Sequence, residues 1–211
     1  AVGDRISARV LKVKKNYAFA RTEELLTPSG CRITEDCPAF NRCGGCALRH
    51  IDYRAECEIK YNRVRETMRR IGGVNLAPES LVPSPHHERY RNKAQYPVGR
   101  DKDGQVVTGF YAGRTHSIIA NTACFLGAEE NQDILERILS YMKENRVASY
   151  DEEAGTGLVR HIFVRRGAVS GQVLVCLVCN GDKLPRVEEL LKRLQKIPGF
   201  TTLVLSVNTK K

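Results

Sequence analysis

Three cysteines, Cys37, Cys43 and Cys46, fall within ten residues of the stretch DCPAFNRCGGCALRH, with Gly44 and Gly45 between the last two. The loop has too few apolar side chains to hold itself together, so its thiols point to an inorganic centre that ties it down. Zinc and iron–sulfur clusters both take deprotonated thiolates, typically four. Structural zinc usually draws on two close pairs. The spacing here is C-x5-C-x2-C with one distant partner, which suits a cubane better. Each iron takes one thiolate, and glycines let the backbone wrap a bulky core.

Five other cysteines compete for the fourth place. Cys57 falls on a helical apolar stripe and reads as core. Cys176 and Cys179 lie in VLVCLVC, where strand alternation puts them on opposite faces as small hydrophobes. Cys31 sits at a strand end, and Cys124 lies in the loop ANTACFL after a short strand. Chemistry leaves Cys124 and Cys31 as the candidates. With no secretion signal, the clustered cysteines favour metal or redox chemistry over disulfides. Gly155-Thr156-Gly157 reads as the approach to a hairpin, and His86-His87 as a surface loop.

The elements that must position these groups follow the apolar periodicities. Residues 5–26 alternate as two strands around the turn KKN. Asp52 caps a helix whose stripe is Cys57, Tyr61, Val64, Met68 and Ile71, ended by Gly72-Gly73. After a linker at Pro83 and Pro85, residues 89–119 read as strand, DKDG turn, strand and a short third strand. A helix is expected over 129–146, a hairpin from GLVRHIFVRRG and QVLVCLVC, a helix opening at Pro185, and a last strand TTLVLSVN. The fold class expected is α+β: a partial β-barrel, a cysteine-rich loop with a long helix, then a central sandwich of antiparallel hairpins with helices.

Composition sets the partner. The chain has 211 residues and a formal net charge of +10, a field that attracts polyanions, chiefly nucleic acid. No apolar run approaches a membrane span, and AVGDRISARV lacks the apolar core of a signal peptide. A cytoplasmic protein is expected.

Four segments, CPAFNRCGGCALRH, RYRNKAQYPV, GFYAGRTHSIIANTACF and GLVRHIFVRRG, together resemble the bacterial 5-methyluridine RNA methyltransferases, in order and across nearly the whole chain. The resemblance implies S-adenosylmethionine-dependent methylation of uracil C5, mainly in 23S ribosomal RNA. It implies [4Fe-4S] ligation by Cys37, Cys43, Cys46 and Cys124. Residues 1–29 would be the C-terminal part of a TRAM-like β domain, 30–88 the iron–sulfur loop, helix and linker, and 89–211 a central RNA-binding domain. The helix after the cysteine loop would pack against a catalytic domain.

The departure from that family is large. Its chemistry needs a cysteine that adds to C6 of uracil, because C5 is a poor nucleophile until a thiolate makes an enolate. It also needs a carboxylate to help remove the C5 proton and a glycine-rich adenosylmethionine loop. No such motifs occur in this sequence, so the expectation is an inactive part of an enzyme that grips and shapes RNA. Arg89, Arg91, Lys93 and Arg100, with Tyr90 and Tyr96 between them, mix phosphate-binding charge with rings that stack on bases. Arg160, His161, Arg165 and Arg166 form a second patch. A monomer on single-stranded or flipped RNA is expected. The alternatives are a stand-alone RNA-binding module with a zinc or iron–sulfur site, and a tRNA (uracil-5-)-methyltransferase.

Overall fold

In the computed structural model, which describes residues 1–210, the chain divides into two compact units. One comprises Ala1–Asp36 with Cys46–Pro85; the other joins Cys37–Gly45 to the residues from His86 onward.

The first unit holds an antiparallel ribbon of β1 (Arg5–Val13) and β2 (Ala18–Thr27), closed by a hydrogen bond from Lys14 N to Tyr17 O. Every residue of both strands is exposed. Two strands give no second layer on which an apolar face could be buried, so the expected alternation produces no buried face, and this ribbon closes no barrel. Asp4 anchors its base: the carboxylate accepts from Ser29 N at 2.9 Å and pairs with Arg32, which holds its pKa far below the carboxylate range.

Helix α1 (Tyr53–Arg70) starts as expected, with the Asp52 carboxylate accepting from Ala55 N at 3.0 Å. It ends where Gly73 takes φ +65° and Val74 N reaches back to Met68 O. None of its residues is buried. Cys57 is therefore half-buried rather than core, and Val64, Met68 and Ile71 are exposed.

The second unit is a six-stranded sheet in the order β5-β4-β3-β6-β7-β8. Its strands are β3 (Lys93–Arg100), β4 (Val106–Tyr111), β5 (Ile118–Ala120), β6 (Val159–Arg166), β7 (Val173–Cys179) and β8 (Phe200–Val207). The expected hairpins form, but the sheet is mixed: β8 joins β7 in parallel. The physical cause is α3 (Val187–Leu194), a crossover helix that returns the chain to begin β8 in the direction of β7. This helix opens two residues after Pro185, because Arg186 takes the left-handed conformation at φ 48°.

Helix α2 (Glu130–Glu144) buries Ile134, Leu135, Ile138, Tyr141 and Met142. With Leu190 and Leu194 of α3 they form one core against Ala94, Tyr96 and Val98 of β3, Ile162 and Val164 of β6, and Val175 and Leu177 of β7. Alternation then turns the remaining side chains of those strands to the opposite face of the sheet.

Candidate nucleic-acid interface and cysteine loop

The segment Cys37–Gly45 is stitched to the β4–β5 hairpin. Gly44 N donates to Tyr111 O at 3.0 Å, and Cys43 forms an antiparallel bridge with Ala112. A Cβ on Gly44 would lie 3.1 Å from Gly113 Cα and 3.3 Å from Tyr111 O, so glycine permits the close approach. The loop turns tightly on itself, with Cys43 N donating to Ala39 O at 2.7 Å and the Ala39 side chain buried. Gly45 N lies 3.4 Å from Cys43 Sγ as a donor to sulfur. The strand β5, paired with β4, leads directly into the loop of Cys124. One hairpin therefore holds the backbone at Cys43 and leads into the loop of Cys124.

Cys37, Cys43, Cys46 and Cys124 are all half-buried. Among the described residues, no group of three or more His, Cys, Asp or Glu side chains is arranged to hold a metal ion. The loop offers thiols beside glycines, with the Gly45 N–H aimed at the Cys43 sulfur. Cys31 is engaged elsewhere, with its Sγ 3.2 Å from Ser29 Oγ and within reach of Val2 O. Cys179 is buried in the core and Cys176 faces the other way, as alternation predicts.

The stretch Arg89–Arg91 runs beside the Cys124 loop. Arg89 N donates to Phe125 O at 2.8 Å and Arg91 N to Leu126 O at 2.9 Å. The Arg89 guanidinium donates to Cys124 O at 3.1 Å and Gly127 O at 3.3 Å, and its charge lies 5.5 Å from the Phe125 ring centroid. Arg89 itself holds a left-handed φ of 55°, a conformation that costs a non-glycine residue and survives where surrounding contacts enforce it. Its side chain is thus committed to the loop, while Arg91 is half-buried and Lys93 exposed.

Tyr96 departs from the expectation of a stacking ring. It is fully buried, its ring centroid lies 5.1 Å from that of Phe110, and its hydroxyl accepts from Asn131 Nδ2 at 2.9 Å. Burial pushes its pKa up to about 12. Arg160 is also engaged: it stacks over Tyr150 at 3.7 Å and donates to Lys210 O at 2.7 Å. Arg166 pairs with Glu130 at 3.1 Å.

The two sequence patches meet through strand pairing. Lys93 lies opposite Arg165, Gln95 opposite Phe163, and Pro97 opposite His161. Lys93 Nζ stands 5.8 Å from the Phe163 ring centroid, so these residues share the face opposite α2 and α3. His161 is half-buried there, and burial lowers its pKa. Phe163 was not singled out from the sequence; the alternation in RHIFVRR was the signal that could have found it.

The fold is shared with a solved structure. Over 96% of the chain and 44% of the other, it superposes with a TM-score of 0.66 and 24% identity on the crystal structure of Pyrococcus abyssi tRNA (uracil-54, C5)-methyltransferase in complex with S-adenosyl-L-homocysteine. No family model matches. The chain is 38% identical over 213 residues to an uncharacterized RNA methyltransferase of Halalkalibacterium halodurans, covering 99% of this chain and 46% of the relative. It is 34% identical over 211 residues to one from Clostridium tetani, covering 100% of this chain and 46% of that protein. Along its whole length the chain is therefore related to bacterial proteins named RNA methyltransferases, and it spans about half the length of those relatives. Among the described residues no helix is long and apolar enough to cross a membrane.

Proposed function

We propose that this chain is the RNA-gripping part of an S-adenosylmethionine-dependent (uracil-C5)-methyltransferase that forms 5-methyluridine in 23S ribosomal RNA. The observation that carries the reading is a pair of exposed cations, Lys93 opposite Arg165, in a chain similar along its whole length to proteins named RNA methyltransferases. Adenosylmethionine, the attacking cysteine and the carboxylate base belong, in this proposal, to the part of the relatives that the chain does not span. The ribbon β1–β2 is assigned to a TRAM-like domain, and the protein to the cytoplasm as a monomer.

The task of this chain's own residues is to hold RNA while a uridine is presented to chemistry elsewhere. Arg91, Lys93 and Arg165 would contact phosphates, which position the strand without reading its sequence. Arg89 and Arg160 take supporting parts, and His161 lies on the same face. Tyr96 supports β3 from beneath.

Cys37, Cys43, Cys46 and Cys124 are proposed to hold a [4Fe-4S] cluster, which when bound would tie distant parts of the chain together by iron–thiolate bonds. Iron, sulfide and zinc measured on the chain purified without oxygen test this. About four iron and four sulfide per chain, lost in Cys124→Ser, support it; one zinc without sulfide removes it.

Extending the chain to the length of its relatives and incubating it with adenosylmethionine and ribosomal or transfer RNA tests the reaction. New 5-methyluridine in 23S RNA, read by mass spectrometry, supports the assignment. Product in tRNA alone favours the second reading, which rests on the tRNA enzyme that shares this fold. No product in either RNA overturns both.

A further inference from the structure

We propose that the face of the six-stranded sheet opposite α2 and α3 is a stacking platform for unpaired RNA bases, centred on Phe163 and His161 and flanked by Lys93 and Arg165. This deepens the RNA-binding reading above, and rests on it, by naming the surface and the form of RNA it takes.

Both helices that build the core, α2 and α3, lie against the same face of the sheet. The register places the outward side chains of β3, β6, β7 and β8 on the other face. A sheet face meant only for water should alternate to polar residues. Here Phe163 lies opposite Cys176, and Cys176 opposite Val204, which is exposed. An apolar band thus runs across neighbouring strands. At its β3–β6 side the band meets Lys93 and Arg165, and no carboxylate occurs at an outward position of these four strands.

Apolar surface and unopposed cations together select the occupant. The cores of protein–protein interfaces are depleted of charge, whereas here two cations stand opposite one another next to the ring. Unpaired bases offer apolar faces to aromatic side chains while their backbone brings phosphates for the cations. His161 and Phe163 are two residues apart on one strand, a separation of about 7 Å along β6. That leaves room for a base on each ring. A duplex keeps its bases stacked inside and could use only the charge.

The test measures affinity of the chain for labelled oligouridine and for a duplex of the same length, across a salt series, with Phe163→Leu as the variant. Loss of about tenfold on the single strand, with duplex affinity and salt slope unchanged, is the expected result. Unchanged single-strand affinity in Phe163→Leu, alongside lost affinity in an Arg91→Ala/Lys93→Ala variant, overturns the platform and leaves the RNA-binding reading standing. If the parent chain binds neither RNA, that reading fails and the platform with it. Photocrosslinking of a 4-thiouridine oligomer to the parent chain guards against a variant that fails to fold. Adducts on the peptide spanning residues 161–165 support the platform, and adducts confined to other regions overturn it. Unchanged affinity with a lowered melting temperature would mark Phe163 as a packing residue of this chain, which also overturns it.

Discussion

Lys93 and Arg165 stand directly opposite one another across the β3–β6 pair, two exposed cations on neighbouring strands of one sheet face. Opposed like charges weaken a sheet. The arrangement is costly to the free chain and useful to a polyanion ligand.

Replacing one partner separates those two effects. Arg165→Glu turns the repulsion into attraction and should stabilise the chain by about 0.5 kcal/mol. The urea midpoint should rise with no change in slope. RNA affinity should fall and the salt dependence become shallower, because a phosphate contact is lost. A variant that is both less stable and unchanged in RNA binding would contradict the assignment.

Arg89 ties its own segment to the Cys124 loop through two carbonyls. Arg89→Ala should cost about 1 kcal/mol and loosen that loop. Amide exchange at Phe125, Leu126 and Gly127 should speed up before exchange in β6 and β7 does. If the chain carries iron, the same variant should retain less of it.

Alkaline pH should unfold the chain in a way that reports on two buried phenols. Burial raises Tyr96 and Tyr141 to about 12, whereas an unfolded tyrosine titrates near ~10. Between those values the unfolded state has already released its proton and the folded state has not. Stability present below pH ~10 is therefore lost as pH rises toward the folded value. Tyr141→Phe should flatten the fall in urea midpoint over that range. Tyr96→Phe should flatten it too, while costing about 1–2 kcal/mol at neutral pH because buried Asn131 loses its acceptor. Neither change should alter RNA affinity.

Cys179 is fully buried, and burial pushes its thiol up to about 11. It should resist iodoacetamide at pH 8 in the folded chain and react only above the unfolding midpoint in urea. Cys37 and Cys43 are half-buried and, in chain stripped of any metal, should be alkylated under native conditions. Peptide mapping after a timed pulse distinguishes the two groups. Equal labelling of Cys179 and Cys43 in the native state would show that the β7 core side opens readily.

The hairpins, the start of α1 at Asp52 and the presence of α2 were all legible in the sequence. Each rests on contacts a few residues apart: alternation in a strand, a side chain capping the N–H three residues on, a turn at Asp103-Gly104. Local signals of the same kind exposed the cysteine loop and the cation-rich segments. What they could not supply was partnership. The stripe of α1 has helical spacing but no buried residue, since periodicity states which side chains could pack and not whether anything lies beneath them. Tyr96 reads as a ring among cations, yet it faces α2, because the phase of β3 against the core is set by Ala94 and Val98 on either side. The parallel join of β8 came from a crossover helix whose direction no short window contains.

Residue chemistry and local spacing, then, determined from sequence alone the charge of this protein, its thiol-bearing loop and the identity of most of its strands and helices. Tertiary structure decided that β3 and β6 are neighbours, and with that, that Lys93, Phe163 and Arg165 form one surface. Lys93 lies about seventy positions from the other two in the chain, and only a pairing register that buries Ile162 and Val164 while turning Phe163 and Arg165 outward brings them together.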